Sequence, residues 1–163
     1  VSQRRRGLGG RDEGRRSGFV SRFANSTSAG EPSVDMKPPR TRKAEAIVEK
    51  LRVKCLAFPD AVERLSHGEP NWFAGKGKCF ASLDDHHHGA PHLSVWLPQP
   101  PGVQQDLIEL DPSRFFKPPY VGSAGWVGVV LDEKPDWALV DRLLREAFLH
   151  VAGVKLRQRL LGG

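Results

Sequence analysis

An α+β domain, a twisted antiparallel β-sheet with helices packed on one face, is the fold this sequence predicts, and three observations predict it. Helical apolar spacing concentrates at the two ends, over residues 42–58 and 137–151. The middle, from Glu69 to Leu97, instead runs in short aromatic and β-branched segments broken by glycine turns. Strands and helices alternate too seldom for a parallel, doubly wound sheet. At 163 residues the chain is the size of one domain and long enough to bury a core.

Residues 1–40 are rich in Arg, Gly and Ser and lack an apolar period, so they read as a disordered basic arm. Met36, the only methionine, stands just before the first helix and is a candidate start of translation, which would leave most of the arm untranslated. Residues 41–153 make the domain. Thr41 caps a predicted helix from Arg42 to Phe58, which Pro59 ends. Ala61 to Leu65 reads as a short, weakly helical segment that gives way at Ser66-His67-Gly68. Trp72-Phe73-Ala74, the turn Gly75-Lys76-Gly77, and Lys78 to Leu83 form a β-hairpin, with glycine at two turn positions and an exposed lysine at the tip. A third strand runs from His92 to Leu97 and is stopped by Pro98, Pro100 and Pro101.

Gly102 to Leu110 carries Val103, Leu107, Ile108 and Leu110 at helical spacing, and Asp111-Pro112 opens a further short helical turn. The most ordered stretch follows, Arg114 to Asp132. Phe115 and Phe116 are apolar anchors, Pro118 and Pro119 forbid a helix, and Tyr120-Val121 resumes an extended path. Gly122 to Gly125 reverses the chain into Trp126 to Leu131, too apolar to face water on both sides and hence read as a central strand. Asp136 caps the last amphipathic helix, from Trp137 to about Val151, which Gly153 ends. Residues 154–163, with Lys155, Arg157 and Arg159, are read as a basic tail with at most a frayed helical turn.

Charge narrows the function classes. The formal net charge is +6, but through Lys43 there are 11 basic residues against 4 acidic, leaving 14 against 15 from Ala44 onward. The excess lies in the arm, and the domain itself has no net field to drive phosphate binding. Neither cysteine, Cys55 nor Cys79, has a paired motif; both sit among apolar neighbours, which fits a reduced, cytoplasmic protein. No run approaches the ~18 apolar residues of a membrane span, and Arg4 to Arg6 lead into glycines rather than an export signal.

The conspicuous polar cluster is Asp84-Asp85-His86-His87-His88, with His92 close behind. Imidazole and carboxylate suit zinc, nickel or copper, so His86, His88 and His92 are the candidate ligands of a metal site. His67, Glu69 and Asp132 are candidates for acid–base work, each with a plain structural alternative as a cap or strand end. A nucleophile elbow, a GxGxxG turn and a phosphate loop are absent, so the reading is non-enzymatic with no cofactor. For nucleic acid the candidates are Lys76 and Lys78 on the hairpin and Arg114 and Lys117 before the prolines, as phosphate contacts, with Trp126 as a stacking surface. The competing class is a small-molecule or metal-binding protein with a pocket between Trp72, Tyr120, Trp126 and the histidine loop.

His67-Gly68-Glu69-Pro70, Trp72-Phe73, Gly77-Lys78-Cys79-Phe80-Ala81, Phe115 to Gly122, Gly125 to Val129 and Leu131-Asp132 together resemble the MmcQ/YjbR family. The likeness runs from about Ala44 to Ala152, in the version of the family with Asp-Asp-His-His-His at its middle. It implies a frataxin/CyaY-like fold, a twisted antiparallel sheet backed by two helices, and a DNA-binding role; the reading taken from the residues and the resemblance together is a domain that binds DNA weakly and without sequence preference. Frataxin's iron chemistry does not follow, because Lys43, Lys50, Arg52 and Lys54 outnumber Glu45 and Glu49 on the first helix.

Overall fold

The computed structural model describes residues 37–87, 91–132 and 134–163; residues 1–36 of the predicted arm, Met36 among them, and His88 lie outside, while Arg40, read as part of the arm, belongs to the described domain. The elements are α1 (Arg42–Leu56), β1 (Ala61–Ser66), β2 (Glu69–Ala74), β3 (Cys79–Asp85), β4 (Leu93–Pro98), α2 (Val103–Leu110), β5 (Phe115–Phe116), β6 (Trp126–Val130), α3 (Trp137–Val151) and α4 (Val154–Gly162). The six strands form one sheet in the order β1-β2-β3-β4-β6-β5, every pair antiparallel. This is the predicted α+β class.

Register decides which side chains go inward. Leu83 pairs with Val95, Val95 with Val129, and Val129 with Phe115, so one apolar row crosses β3, β4, β6 and β5. All four are buried, and they share a cluster with Val48 and Leu51 of α1 and Val140, Leu144 and Phe148 of α3. Leu107 of α2 and the half-buried Leu156 and Leu160 of α4 join the same cluster. The alternate residues of the strands, on the opposite face, include the buried Asn71, Asp84, Ser94 and Trp96. There the Trp96 indole N–H donates to Ser94 Oγ at 3.1 Å.

The two long helices begin as their sequences dictate. Thr41 Oγ1 accepts from the Ala44 N–H at 3.2 Å, and Asp136 Oδ1 accepts from the Leu139 N–H at 3.1 Å. They run in the same direction, because Lys50 lies over the Trp137 ring, Lys54 pairs with Asp141, and Phe58 beyond α1 stacks on Phe148. Phe80, at a register shift between β2 and β3, completes that aromatic group, its ring centroid 5.3 Å from Phe58 and 5.2 Å from Phe148.

Several expectations are corrected. Ala61 to Leu65 is no helix but edge strand β1, paired with β2 over its whole length. His67 (φ 51°) and Gly68 (φ 79°) make the tight two-residue turn between them, so the break read as a helix end is a hairpin turn. Tyr120 is not extended: at φ 64° it bends the chain left-handed, Pro118 O accepts from Gly122 N, and Gly122–Ala124 forms a 3₁₀ turn. Asp111 to Arg114 closes as a hydrogen-bonded turn rather than a helix, with Asp111 Oδ1 accepting from the Ser113 N–H and hydroxyl. β6 has partners on both sides but sits one place in from the sheet edge, not at its centre. α3 ends at Val151 with Ala152 as its C-cap, as expected just before Gly153, but Gly153 is also the N-cap of α4, nine residues where a frayed turn was expected.

Gly128 is the tightest backbone position in the sheet. Phe116 on β5 lays its ring over it, so an added Cβ would collide with the ring atoms. Gly128→Ala is expected to lower stability by about 1–3 kcal/mol, seen as a drop in denaturant midpoint. In the double variant with Phe116→Ala the penalties should be clearly less than additive, since the collision is gone.

Candidate nucleic-acid interface

The antiparallel sheet has two chemically different ends. At one end lie the β2–β3 turn, the close of β4 and the start of β6; at the other, the β1–β2 turn, the end of β3 and the start of β4.

The first end gathers lysines. Residues 75–78 form a turn closed by Ala74 N to Lys78 O and Gly77 N to Ala74 O, both 3.0 Å, which leaves Lys76 and Lys78 exposed. Trp126 pairs with Pro98 at this end and is half-buried. β3 and β6 are two strand spacings apart, about 10 Å. Lys117 is exposed on the approach to the Pro118-Pro119 loop, and its stem lies against Gly122, where any Cβ would strike it. Gln104 of α2 pins that loop, its Nε2 donating to the carbonyls of Gly122, at 2.7 Å, and Trp126. Sequence reading missed Gln104, which looks like any polar residue on an amphipathic helix. Among the described residues no carboxylate lies within 4.0 Å of the Lys76, Lys78 or Lys117 ammonium.

Arg114 does not join them. Its carbonyl accepts from the Val130 N–H, at the far end of β6, and its guanidinium is drawn to Asp111 (3.5 Å) and Asp136 (3.6 Å). Nor do Trp72, Tyr120 and Trp126 line one pocket. Trp72 is fully buried on the helix-covered face, where its indole N–H donates to Glu63 at 2.9 Å, whereas Trp126 belongs to the opposite face. Tyr120 is 79% exposed, and the histidine loop is at the other end of the sheet.

That second end is acidic and crosslinked. Arg40, just before α1, donates to Asp85 Oδ2 at 2.8 Å and to Glu69 Oε2, two carboxylates that are buried. The loop after β3 is pinched by His86 N to His92 O at 3.1 Å. His86 Nδ1 is 2.6 Å from Asp85 Oδ1, and His92 Nδ1 is 2.9 Å from Asp132 Oδ2, whose other oxygen accepts from the Leu93 N–H. His87 Nδ1 lies 3.7 Å from both Glu69 and Asp84. The proposed acid–base residues thus engage different partners: Glu69 with Arg40, Asp132 with His92, and His67, exposed, with Ser66 Oγ. Among the described residues no three His, Cys, Asp or Glu side chains are arranged to hold a metal ion. Both thiols are held protonated: burial pushes Cys79 up to about 11, and Cys55, more deeply buried, well above the usual thiol range.

The sequence model of the YjbR family matches residues 56–150, more than half of the chain. The chain belongs to the YjbR family. The crystal structure of a Deinococcus radiodurans protein with a DUF419 domain superposes with a TM-score of 0.55 at 21% identity, covering 71% of this chain and 87% of that one, a likeness of fold. No curated protein matches. The YjbR match begins at the end of α1 and takes in the whole sheet, so both sheet ends described above fall within it.

The Arg40 bridge anchors α1 to the acidic end of this YjbR domain. Arg40→Gln should cost about 3 kcal/mol of unfolding free energy, because it removes the guanidinium that two buried carboxylates share. Arg40→Lys should restore only part of it, since one ammonium cannot reproduce a fork across two carboxylates. Chemical denaturation of the three proteins is the check.

Proposed function

We propose that this YjbR protein is a non-enzymatic, cytoplasmic DNA-binding protein on a frataxin-like fold, contacting phosphates weakly and without sequence preference. The observation that carries the reading is the placement of Lys76, Lys78 and Lys117, exposed and without an ion-pair partner among the described residues, at the same end of the sheet as Trp126. Lysines act as point charges toward phosphate, and an aromatic beside them offers a stacking face. Arg114 is left out of this reading because Asp111 and Asp136 occupy it. Two long helices behind a twisted antiparallel sheet support the frataxin-like assignment, and two free thiols support a reducing compartment.

Three phosphate contacts imply a modest, steeply salt-dependent affinity. For a form starting at Met36, log K against log salt on duplex DNA should fall with a slope of about −2.7, at roughly 0.9 per contact. Replacing Lys76 and Lys78 with Gln should flatten that slope by about 1.8. Binding that ignores salt would sink the phosphate reading and favour an apolar pocket.

A second reading, metal binding at the histidine end, is favoured by one detail. His86 and His92 each direct Nδ1 at a carboxylate, which leaves Nε2 as the basic nitrogen, as in imidazoles oriented for a metal. Calorimetry with Zn²⁺ should then show binding that His86→Gln with His92→Gln abolishes. Unchanged affinity in the double variant would dispose of this site.

A further inference from the structure

We infer that β1 is a self-pairing edge: two copies of this chain join antiparallel along Ala61–Ser66, with a two-fold axis at Glu63, into one continuous sheet. The inference goes beyond the DNA reading and uses none of its residues.

The argument begins with an edge that is left open. β1 is the outermost strand, and among the described residues β2 is its only partner. Natural sheets guard such edges with lysine, proline, a bulge or an inward-pointing charge. β1 has neither lysine nor proline, and its register with β2 runs unbroken from Ala61 to Ser66. Its inward-pointing charge, Glu63, is already matched: Oε2 accepts from Arg52 Nε at 2.8 Å and from the Trp72 indole at 2.9 Å. On the other face the Arg64 guanidinium lies over the Phe73 ring at 4.7 Å. What stands outside is apolar. Leu65 is 72% exposed and Val62 39%. The flank of α1 that reaches β1 through Arg52 also carries Leu56, four residues on, and Val53, both exposed.

Backbone chemistry narrows the register. Ser66 and Glu69 flank the two-residue turn as a hydrogen-bonded pair, and bonding alternates along an antiparallel ladder, so Ala61, Glu63 and Leu65 turn their backbone groups outward. Leu65 accordingly stands opposite Pro70, which has no N–H to offer. The Ala61 N–H is taken by the Phe58 carbonyl at 3.2 Å. With the axis at Glu63, each Glu63 N–H donates to the Glu63 carbonyl of the second copy, and each Leu65 N–H to its Ala61 carbonyl. Moving the axis to Arg64 would form as many bonds, between Glu63 and Leu65. It would also set two arginines directly opposite, neither with a carboxylate within 4.0 Å among the described residues, and like charges so placed destabilise a sheet. At Glu63 the two facing carboxylates each bring their own Arg52, so charge selects this register. Leu65 then lies against Ala61 of the second copy, and Val62 against the stem of its Arg64, which covers both exposed side chains.

The test is light scattering on the full chain over a concentration series. The mass should rise from one chain to two, and Leu65→Lys should weaken association by at least about tenfold, because each dimer loses two buried leucines and gains two edge lysines. With Leu65 largely exposed in a single chain, the denaturation midpoint of this variant, taken where wild type is one chain, should match wild type. Ala61→Cys with Leu65→Cys reads the register. Across the axis these positions face each other at about 5.5 Å between Cα atoms, within disulfide reach, whereas along one strand they are about 13 Å apart. Mild oxidation should therefore give a covalent dimer from the double variant and none from either single variant. A single-chain mass at every concentration overturns the inference and leaves the edge to an extended segment of another protein. A dimer that Leu65→Lys leaves intact, a double variant that stays unlinked, or cross-linking by Leu65→Cys alone overturns it equally.

Discussion

The row Leu83–Val95–Val129–Phe115 is the constraint on which the rest of the structure depends. It sets the register of four strands at once, and a slip of one residue in β4 would turn Ser94 and Trp96 toward the helices and Val95 and Leu97 away from them. Because every strand pair is antiparallel, the register also decides where each connection emerges. The β2–β3 turn and the loop into β6 emerge at one end, the histidine loop at the other, and α1 and α3 can settle on only one face. The surface chemistry is a consequence of which side chains the core demands inward.

That consequence explains how a domain with almost no net charge can still present a cationic surface. Several of its buried acids and three of its exposed lysines stand at opposite ends of the sheet. Glu69, Asp84 and Asp85 are buried at the histidine end, two of them under Arg40, while Lys76, Lys78 and Lys117 stand on turns at the opposite end. Formal counting averages over this separation and so underestimates the local field a phosphate would meet at the lysine end. The buried acids have a structural task, since Arg40 and the histidines use them to close the sheet around the start of α1. At the other end Lys76, Lys78 and Lys117 are exposed, with no carboxylate among the described residues within 4.0 Å.

Much of the fold was legible because its signals are local. Thr41 and Asp136 announce their helices through capping chemistry that depends on three residues, and Gly75-Lys76-Gly77 announces a turn through conformational freedom alone. β1 was not legible: its six residues are too short for a clear period, and what makes them a strand is pairing with β2 through a turn that uses left-handed His67 as well as Gly68. Tyr120 fails for a related reason, since nothing in a tyrosine signals a left-handed backbone. Of the candidate site, side-chain exposure was legible in the sequence and ion pairing was not. Lys76, Lys78 and Lys117 are exposed where local reasoning put them, but the ion pairs of Arg114 with Asp136 and of Arg159 with Asp60 join residues 22 and 99 positions apart. No sequence spacing encodes such pairs. They arise from the register, and they decide which charges are spent and which are left.

The strength of binding that such a surface supports follows from its construction. The turn at Lys76 is closed by backbone hydrogen bonds, and the loop after Lys117 is pinned by Gln104, so their backbones are already ordered and little further entropy is lost on contact. Lysine side chains themselves remain flexible and carry no planar fork, so each contact adds charge attraction but little geometric discrimination. Half-buried Trp126 offers part of a ring and no base-reading edge. A preordered frame carrying flexible point charges favours any polyanion of suitable spacing over a particular sequence. On the proposed reading, discrimination between polyanions would rest on the spacing of the lysine-bearing turns, which the sheet register holds fixed.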